Sequence, residues 1–337
     1  MSGFAFVIHP VDPKRDVARK YPRLAKVLPT GLVHFLARLW PPVCLSHITG
    51  VRSEDTGKEI EGWLVACPFT ARQALELPTR TVYNKIVAAG RLAQRLGAQI
   101  LGLGAFTSVV GDAGVTVARR LDIPVTTGHS FTVATAVEAL EQGARCRGVR
   151  LESSTVAVIG ATGSIGRACA ELLAPVVGGL ILIGRSESRL TQVRAQVEEA
   201  GCRRVRASLR VEEVCEADLV LSATSAADSV IQPEYLKRDA VVCDIALPPD
   251  VSPRVKQERS DVLIISGGVV DVPGEVDFGF DFGLSSGRAY ACMAETMILA
   301  LDGRYESYSL GKHVRIEQVH EIAWLARKHG FRLSALC

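Results

Sequence analysis

A glycine-rich turn between an apolar strand and an alanine-rich helix constrains the fold of this chain most strongly. The segment TVAVIGATGSIGRACAELL (residues 155–173) carries three glycines in a G-x-x-G-x-x-G spacing. Such glycines let the backbone turn sharply and approach a pyrophosphate at a helix N-terminus. Because the motif lies between a strand and a helix, it predicts a dinucleotide site rather than a turn without a ligand. The predicted contacts come from Gly160, Thr162, Gly163, Ser164, Ile165 and Gly166.

Strand-like and helix-like segments alternate on both sides of this turn. After it, apolar strands such as GLILIG, ADLVLSAT, AVVCDIA and VLIISGG predict a doubly wound, Rossmann-type α/β domain. Before it, alternation from FAFVIHP to HSFTVATAVEALEQGA predicts an α/β domain with a largely parallel sheet. The polar segment RCRGVRLESS is the candidate linker. We therefore expect an N-terminal α/β substrate domain (1–144), a nucleotide domain (145–285), and C-terminal helices (286–337) that return to the first domain.

The end of the second strand of the nucleotide domain predicts which dinucleotide binds. An NAD site often has an acidic residue there, but this strand ends in GRSESR, with Arg185, Ser186 and Arg189 and no carboxylate at its tip. Arginine suits a 2′-phosphate because its planar fork makes bidentate, charge-assisted hydrogen bonds. The sequence therefore predicts NADPH, with Arg185 the stronger candidate and Arg189 equally explained as a solvated helix charge.

Two later strand ends hold further candidates for the cofactor site. Thr224 and the pair Gly267–Gly268 follow strands at the carboxyl edge of the predicted sheet, where ligands bind. They could border the nicotinamide, or they could be ordinary turns.

Composition narrows the class of protein. With 48% hydrophobic and 22% charged residues the chain is globular, and a net charge of +3 is too small to indicate nucleic acid. The nine cysteines are scattered and form no C-x-x-C pair, which argues against a disulfide framework and a zinc site and fits a cytoplasmic protein.

No apolar run approaches the ~20 residues needed to span a bilayer. The segment GLVHFLARLWPPV allows at most peripheral membrane contact. No H-E-x-x-H motif and no Ser-His-Asp order is evident.

Several motifs occur in the order typical of one family. They are GWLVACPFTARQAL, LGLGAFTSVV, TTGHSFTVAT, ATGSIGRACAELL, SGGVV and RAYACMAETMILALDG followed by KHGF. Over nearly its whole length the chain resembles the long-chain fatty acyl-(acyl carrier protein) reductases of cyanobacterial type, which share their layout with shikimate dehydrogenase-like NADP-binding proteins. One motif departs from the family pattern: His129, Ser130 and Phe131 replace Asn, Thr and His.

The resemblance implies a reaction and a nucleophile. The reaction is NADPH-dependent reduction of a fatty acyl thioester, on acyl carrier protein or coenzyme A, to an aldehyde through a cysteine-bound acyl group. The active cysteine of the family falls on Cys292, and Cys67, at a strand end, is the main rival. A helix starting near Ser286 would place Cys292 in its second turn, where the helix dipole contributes little. His129 is the candidate acid or base, with His313 as the alternative.

Other interpretations stay open on the sequence. A shikimate- or quinate-type dehydrogenase would share the two-domain layout and the NADP turn. A non-catalytic NADPH-binding sensor would have Cys292 merely packed. The basic segment 13–26 is expected either to receive an acidic carrier or the phosphates of coenzyme A, or to be a solvated helix face. The sequence does not define the oligomeric state.

Overall fold

The computed structural model describes residues 3–9, 32, 40–70, 73, 76–226 and 228–334. The chain forms two compact units. The first comprises residues 1–128, 272–311 and 325–331, and the second comprises 129–271, 312–324 and 332–337. The basic segment 13–26 lies outside the described residues, as does most of the segment 31–43.

The first unit is built on a five-stranded sheet in the order β2-β3-β1-β4-β5. The edge strand β2 pairs antiparallel with β3, and the other neighbours pair parallel. Apolar residues of β1 and β4 and of the first helix form one buried cluster. The strands and helices of this unit are β1 (Gly3–Ile8), β2 (Val43–Arg52), β3 (Glu59–Ala66), α1 (Thr79–Leu96), β4 (Ile100–Leu103), α2 (Phe106–Val109), α3 (Val115–Ala118) and β5 (Val125–Thr126).

The second unit contains a six-stranded parallel sheet in the order β11-β10-β9-β6-β7-β8. Its central strands are continuous apolar runs, as expected for a parallel sheet that is buried on both faces. The order is that of a doubly wound nucleotide-binding fold. Its elements are α4 (His129–Cys146), β6 (Thr155–Ile159), α5 (Ser164–Leu173), β7 (Gly179–Ile183), α6 (Glu187–Glu199), β8 (Val205–Ser208), β9 (Leu219–Ser222), β10 (Val241–Asp244), α7 (Pro253–Glu258), β11 (Leu263–Ser266) and β12 (Val269–Asp271).

The C-terminal region is divided between the two units, with boundaries that differ from the expected 286–337. Residues 272–311 belong to the first unit and include β13 (Arg288–Tyr290) and α8 (Ala291–Asp302). The last helix, α9 (Ile316–His329), contributes residues to both units, and β14 (Arg332–Leu333) pairs antiparallel with β12. Helix α4, which we expected in the first domain, lies in the second unit from His129 onward.

The predicted start of the helix near Ser286 is wrong. Gly287 has φ +78°, in the left-handed region, and residues 288–290 are extended. Tyr290, with ψ 143°, is the N-cap, so the helix starts at Ala291. Cys292 is therefore the second residue of α8 and lies in its first turn.

The described residues contain neither a membrane-spanning helix nor a cluster of metal ligands. None of their helices is both long and apolar enough to cross a membrane. Among the same residues, no group of three or more His, Cys, Asp or Glu side chains has the arrangement of a metal site.

Candidate active site

The glycine-rich turn of the second unit is held by contacts that exclude a side chain. Gly160 has φ +81°, and a Cβ there would lie 2.5 Å from the carbonyl oxygen of Ala223. A Cβ on Gly166 would lie 2.4 Å from the carbonyl oxygen of Gly160. These contacts press the turn against the start of α5 and against the end of β9, so two of the three predicted glycines have a backbone reason.

The N-terminus of α5 is left open for a ligand. Its N-cap is Gly163, which is exposed and has no side chain to cap the helix, and no acidic residue lies in the first turn. Thr162, Ser164 and Ile165 are partly exposed around it. The unpaired N–H groups of a helix start favour an anion such as a pyrophosphate. The turn therefore fits the predicted dinucleotide.

Arg185 and Arg189 follow the strand next to the turn. A Cβ on Gly184 would lie 3.0 Å from Thr162 Cγ2, so Arg185 comes directly after a residue that touches the turn. Both arginines are exposed, and neither makes an ion pair with the described part of the chain. Ser186 is the N-cap of α6, and its Oγ lies 3.3 Å from Ser188 Oγ. Two unpaired guanidiniums beside the turn fit the extra phosphate of NADPH.

The remaining cofactor candidates differ in what holds them. Thr224 lies beside the turn, and its hydroxyl and backbone N–H both bind the buried carboxylate of Asp250 (Oγ1···Oδ1 2.5 Å, N···Oδ2 3.1 Å). A Cβ on Gly267 would lie 2.3 Å from Cys243 Sγ, so packing alone requires glycine there. Gly268 has no such neighbour. Thr224 is thus fixed close to the turn, whereas Gly267 is explained by the core.

His129 is the first residue of α4 and lies against the start of α5. Its Nδ1 is 3.4 Å from Ser164 Oγ, and its side chain is buried. Burial lowers the pKa of His129 to about 4. The imidazole is therefore neutral near pH 7, and it belongs to the second unit, whereas Cys292 belongs to the first.

Cys292 sits at the N-terminal end of α8 and is partly exposed. The backbone N–H groups of Ala105 and Met293 donate toward its sulfur and lower the pKa of the thiol. Burial acts more strongly in the opposite direction, so the pKa of Cys292 is raised to about 12. We expected the helix dipole to contribute little to lowering the pKa of Cys292, and this expectation is corrected, because the residue lies in the first turn, where the dipole acts. The thiol is protonated at neutral pH, but a developing thiolate would meet two backbone donors.

Gly128 packs directly on the backbone of Cys292. Its φ is +73°, and a Cβ at this position would lie 2.3 Å from Cys292 Cα. The glycine of the TTGH segment is therefore needed for contact with the cysteine.

Ala105 adopts a strained backbone conformation to present its N–H. It has φ +46° and ψ −125°, which costs a residue other than glycine about 1–3 kcal/mol. Such strain concentrates at functional sites. The residue follows β4 and precedes α2, so the end of the strand directs this N–H toward Cys292.

A buried polar link fixes α8 on the sheet. Thr126 donates a short hydrogen bond from its hydroxyl to Glu295, which is fully buried one turn after Cys292. A Cβ on Gly102 would lie 2.1 Å from Thr296 Oγ1, so α8 approaches β4 closely only because this position has no side chain. These contacts hold the first turn of α8 at the carboxyl end of β4 and β5.

Cys67 and His313, the alternatives to Cys292 and His129, are less suited to a catalytic role. Cys67 is fully buried, which raises the pKa of its thiol to about 12, and it packs in the core of the first unit. His313 is exposed. Cys146 departs from the predicted free thiols because it is disulfide-bonded.

A Ser-His-Asp chain that the residue order had not revealed lies in the first unit. Ser53 Oγ is 2.8 Å from His329 Nδ1, and His329 Nε2 is 3.3 Å from Asp302. Ser53 and His329 are both buried, so this chain of hydrogen bonds joins β2, α8 and α9 and does not present a nucleophile.

The sequence indicates Cys292 and the glycine turn as candidates, but it does not indicate the residues around the thiol. Gly128 and Ala105 lie in the motifs TTGHSFT and LGLGAFT, each placed just after a strand. A glycine after a strand was a usable signal for Gly128. Nothing in the sequence marks Ala105, because alanine is not expected at positive φ.

Comparison with known proteins places this geometry in a family. The model of the shikimate / quinate 5-dehydrogenase family matches residues 142–265, within the second unit. The chain is 33% identical over 285 residues to the aminotransferase PigE of a Serratia strain; the match covers 83% of this chain but spans only 33% of that relative's length. Among solved structures, quinate dehydrogenase from Corynebacterium glutamicum in complex with NAD aligns over 96% of this chain and 98% of its own, with 14% identity and a TM-score of 0.42.

The family is shown by a relative of similar length. The long-chain acyl-(acyl-carrier-protein) reductase of Synechococcus elongatus is 30% identical over 311 residues, which cover 88% of this chain and 89% of the relative. The predicted nicotinamide cofactor is confirmed, since the second unit is an NAD(P)-binding unit. The chain belongs to the family of the long-chain acyl-(acyl-carrier-protein) reductases.

Proposed function

We propose that this protein reduces a long-chain fatty acyl thioester to a fatty aldehyde with NADPH, while the acyl group is bound to Cys292. The observation that carries the proposal is the environment of Cys292. Residue Cys292 is partly exposed in the first turn of α8, its sulfur lies in a buried environment, and two backbone N–H groups donate toward that sulfur. A packed structural cysteine needs neither feature.

The first step transfers the acyl group to the chain. The Cys292 sulfur attacks the thioester carbonyl, the bond from that carbon to the carrier sulfur breaks, and the Cys292 proton ends on the departing thiol. Because the pKa of the resting thiol is high, the proton leaves as the thioester is attacked, not before. The N–H groups of Ala105 and Met293 stabilise the negative charge that passes through the sulfur.

The second step reduces the bound acyl group. NADPH supplies the hydride when bound. Addition of hydride to the acyl carbon gives a thiohemiacetal oxyanion. Its oxygen re-forms the carbonyl double bond as the carbon–sulfur bond breaks, which releases the aldehyde and returns the electron pair to the Cys292 sulfur, and the thiolate then takes up a proton from solvent. The same two N–H groups stabilise this leaving thiolate, so one arrangement serves both steps.

Residues of the second unit would hold the cofactor. The N-terminus of α5 with Gly160, Gly163 and Gly166 takes the pyrophosphate, and Arg185 and Arg189 take the 2′-phosphate. His129 lies beside this turn as a neutral imidazole. We assign it hydrogen bonding within the cofactor site and not proton donation as an imidazolium, because its pKa is too low for that near pH 7.

The variant Cys292→Ala tests the proposal. It should lose aldehyde formation from a long-chain acyl thioester by at least about 10³-fold, as expected when a covalent nucleophile is removed. NADPH affinity, measured by fluorescence titration, should stay unchanged. The matched control is Cys215→Ala, which removes an exposed thiol of the second unit and should retain activity. Unchanged acyl reduction by Cys292→Ala would exclude this role.

A second candidate is favoured by the match of residues 142–265 to the shikimate / quinate 5-dehydrogenase family model. A dehydrogenase of that type would oxidise the hydroxyl of shikimate or quinate with NADP⁺ and would not need Cys292. Oxidation of either compound by both the native protein and Cys292→Ala would favour this function over acyl reduction.

A further inference from the structure

An unpaired arginine surface lies on the first unit, along helix α1. Arg80, Arg91 and Arg95 fall on one face of this helix, because their separations of 11 and 4 residues are close to whole helical turns. Arg119 and Arg120 follow α3. Three arginines of α1 together with Arg120, Asn84, Pro41 and Pro42 line a groove of about 590 Å³. We call the set Arg80, Arg91, Arg95, Arg119 and Arg120 the arginine surface.

The charges of this surface are not neutralised by any residue in the described part of the chain. All five side chains are exposed, and none makes an ion pair with a described residue. Arg120 donates a hydrogen bond to a neutral group, Asn84 Oδ1, at 2.7 Å. By contrast, exposed arginines of the second unit such as Arg194, Arg206 and Arg254 are paired with glutamates. Four of these arginines line one groove without a charged partner among the described residues, and such a cluster of positive charge creates a field that attracts a negative partner.

An apolar edge accompanies the charges. Trp40 is 50% exposed, and Pro41 and Pro42 beside it line the groove. Tryptophan and arginine are the residue types that dominate binding energy at protein interfaces. A groove for a small free anion needs no exposed tryptophan. The combination indicates a protein partner.

The dimensions also favour a protein. Arg80 and Arg95 are 15 positions apart in a helix, which corresponds to roughly 22 Å along its axis. A single phosphate group contacts one end of such a row, whereas an acidic helix can follow all of it. Helix α1 begins after the carboxyl end of β3, and Ala105 follows the carboxyl end of β4, which runs parallel to β3. The first arginine of α1 is therefore near the same edge of the sheet as Ala105, the residue whose N–H donates toward Cys292.

We infer that the arginine surface docks an acidic acyl carrier protein that delivers the thioester. This inference rests on the proposed acyl reduction and names the partner and its binding face. The basic segment 13–26, predicted from the sequence to do this, lies outside the described residues. The arginine surface is a separate set of residues on α1 and after α3.

A double charge reversal tests the inference. The variant Arg91→Glu/Arg95→Glu should raise the Kd for acyl carrier protein bearing a palmitoyl thioester by at least about tenfold at low salt, and the difference should shrink as salt increases. The matched control, Arg147→Glu/Arg203→Glu, makes the same charge change at two exposed arginines of the second unit and should bind like the native protein. Circular dichroism and the thermal midpoint should stay unchanged for both variants, because the replaced side chains are exposed and unpaired.

Turnover with two substrates separates this inference from the proposed function. The Arg91→Glu/Arg95→Glu variant should lose kcat/KM with the carrier substrate through KM and keep native turnover of palmitoyl N-acetylcysteamine, which lacks a carrier. If the native protein reduces neither thioester, the proposed function fails, and the carrier titration still tests the surface. Equal carrier affinity of variant and native protein, or no carrier binding by the native protein, would overturn the docking inference. Loss of affinity for a single-stranded oligonucleotide with unchanged carrier affinity would overturn it as well.

Discussion

At the scale of single residues, the chemistry depends on how a protonated thiol becomes reactive. Burial raises the pKa of Cys292, while the N–H groups of Ala105 and Met293 lower it and Glu295 adds a negative charge nearby. Because the effect of burial on the pKa is larger than that of the N–H groups, the thiol stays protonated at rest. The N–H groups would stabilise negative charge on the sulfur only while the reaction with the substrate creates that charge. The resting enzyme is then protected against oxidation and alkylation, which require the thiolate.

The high pKa of Cys292 predicts that alkylation of its thiol is slow at neutral pH and accelerates strongly as the pH rises. The rate of iodoacetamide modification at Cys292 should rise about tenfold for each pH unit from 7 to 10 without a plateau, since the thiolate fraction keeps increasing below a pKa of about 12. Peptide mass spectrometry of timed samples measures the rate at this site. Exposed Cys215 is the internal comparison. A plateau for Cys292 below pH 8 would mean that the site holds a thiolate at rest.

His129 predicts a pH-dependent stability. Its pKa in the folded protein is about 4, below the usual value of 6.5, so the unfolded chain binds more protons between these two values. The free energy of unfolding should therefore fall as pH decreases from 7 to 5, with His129 contributing about 2 kcal/mol to the loss. Urea denaturation of His129→Asn should lack this part of the pH dependence. The control His320→Asn, at an exposed histidine of the same unit, should retain it. Identical pH dependence of native protein and His129→Asn would contradict the assignment.

The close contact between Gly128 and Cys292 predicts that a single methyl group added at position 128 affects the thiol site. In Gly128→Ala the new Cβ would lie 2.3 Å from Cys292 Cα, so we expect a loss of acyl transfer of at least about tenfold and a lower thermal midpoint. Gly148→Ala is the matched control, because Gly148 also has positive φ (+66°) but no atom within 4 Å of an added Cβ. Both variants carry the same backbone penalty. Equal activity of the two would show that the contact with Cys292 is unimportant.

At the scale of elements, patterns of sequence predicted the nucleotide-binding unit well. Strand β6, helix α5 and the turn between them follow from an apolar run, three glycines and an alanine-rich helix, all within a local stretch of chain. The predictions failed where the backbone conformation of one or two residues determines where a helix begins or ends. The segment 111–122 reads as one helix, but Gly111, Ala113 and Gly114 have positive φ, and the helix is limited to Val115–Ala118.

The start of α8 shows why such failures matter for the site. Composition alone extends the helix back to Ser286, whereas the left-handed Gly287 and the extended residues after it delay the start by five positions. This shift moves Cys292 from the second turn to the first. A boundary error of one turn was thus enough to misjudge the electrostatic environment of Cys292.

The end of β7 predicts the choice between the two dinucleotides. Replacing Arg185 and Arg189 by alanine should raise the KM for NADPH by about 10- to 100-fold, because charge-assisted hydrogen bonds to the 2′-phosphate are lost. The KM for NADH should change little. Steady-state kinetics with both cofactors measure this, with Arg194→Ala on the same helix as the control. An equal effect on both cofactors would contradict 2′-phosphate recognition.

At the scale of the whole molecule, segments distant in sequence form the thiol site. The first unit takes residues 272–311 back after the complete nucleotide-binding sheet. We expected the last helices to return to the first domain, since they lie beyond the pattern of the nucleotide domain. The contacts of Cys292 with Gly128 and Ala105 were not predictable, because no local pattern encodes pairing between segments so far apart in the chain.

The central claim is a covalent acyl group on Cys292, and intact-mass spectrometry tests it most directly. The protein is mixed with a long-chain acyl thioester in the absence of NADPH, and any adduct is located by peptide mapping. We expect a single added acyl group at Cys292, absent in Cys292→Ala and released when NADPH is added. No adduct on any cysteine, or an adduct that maps to Cys67, would contradict the account.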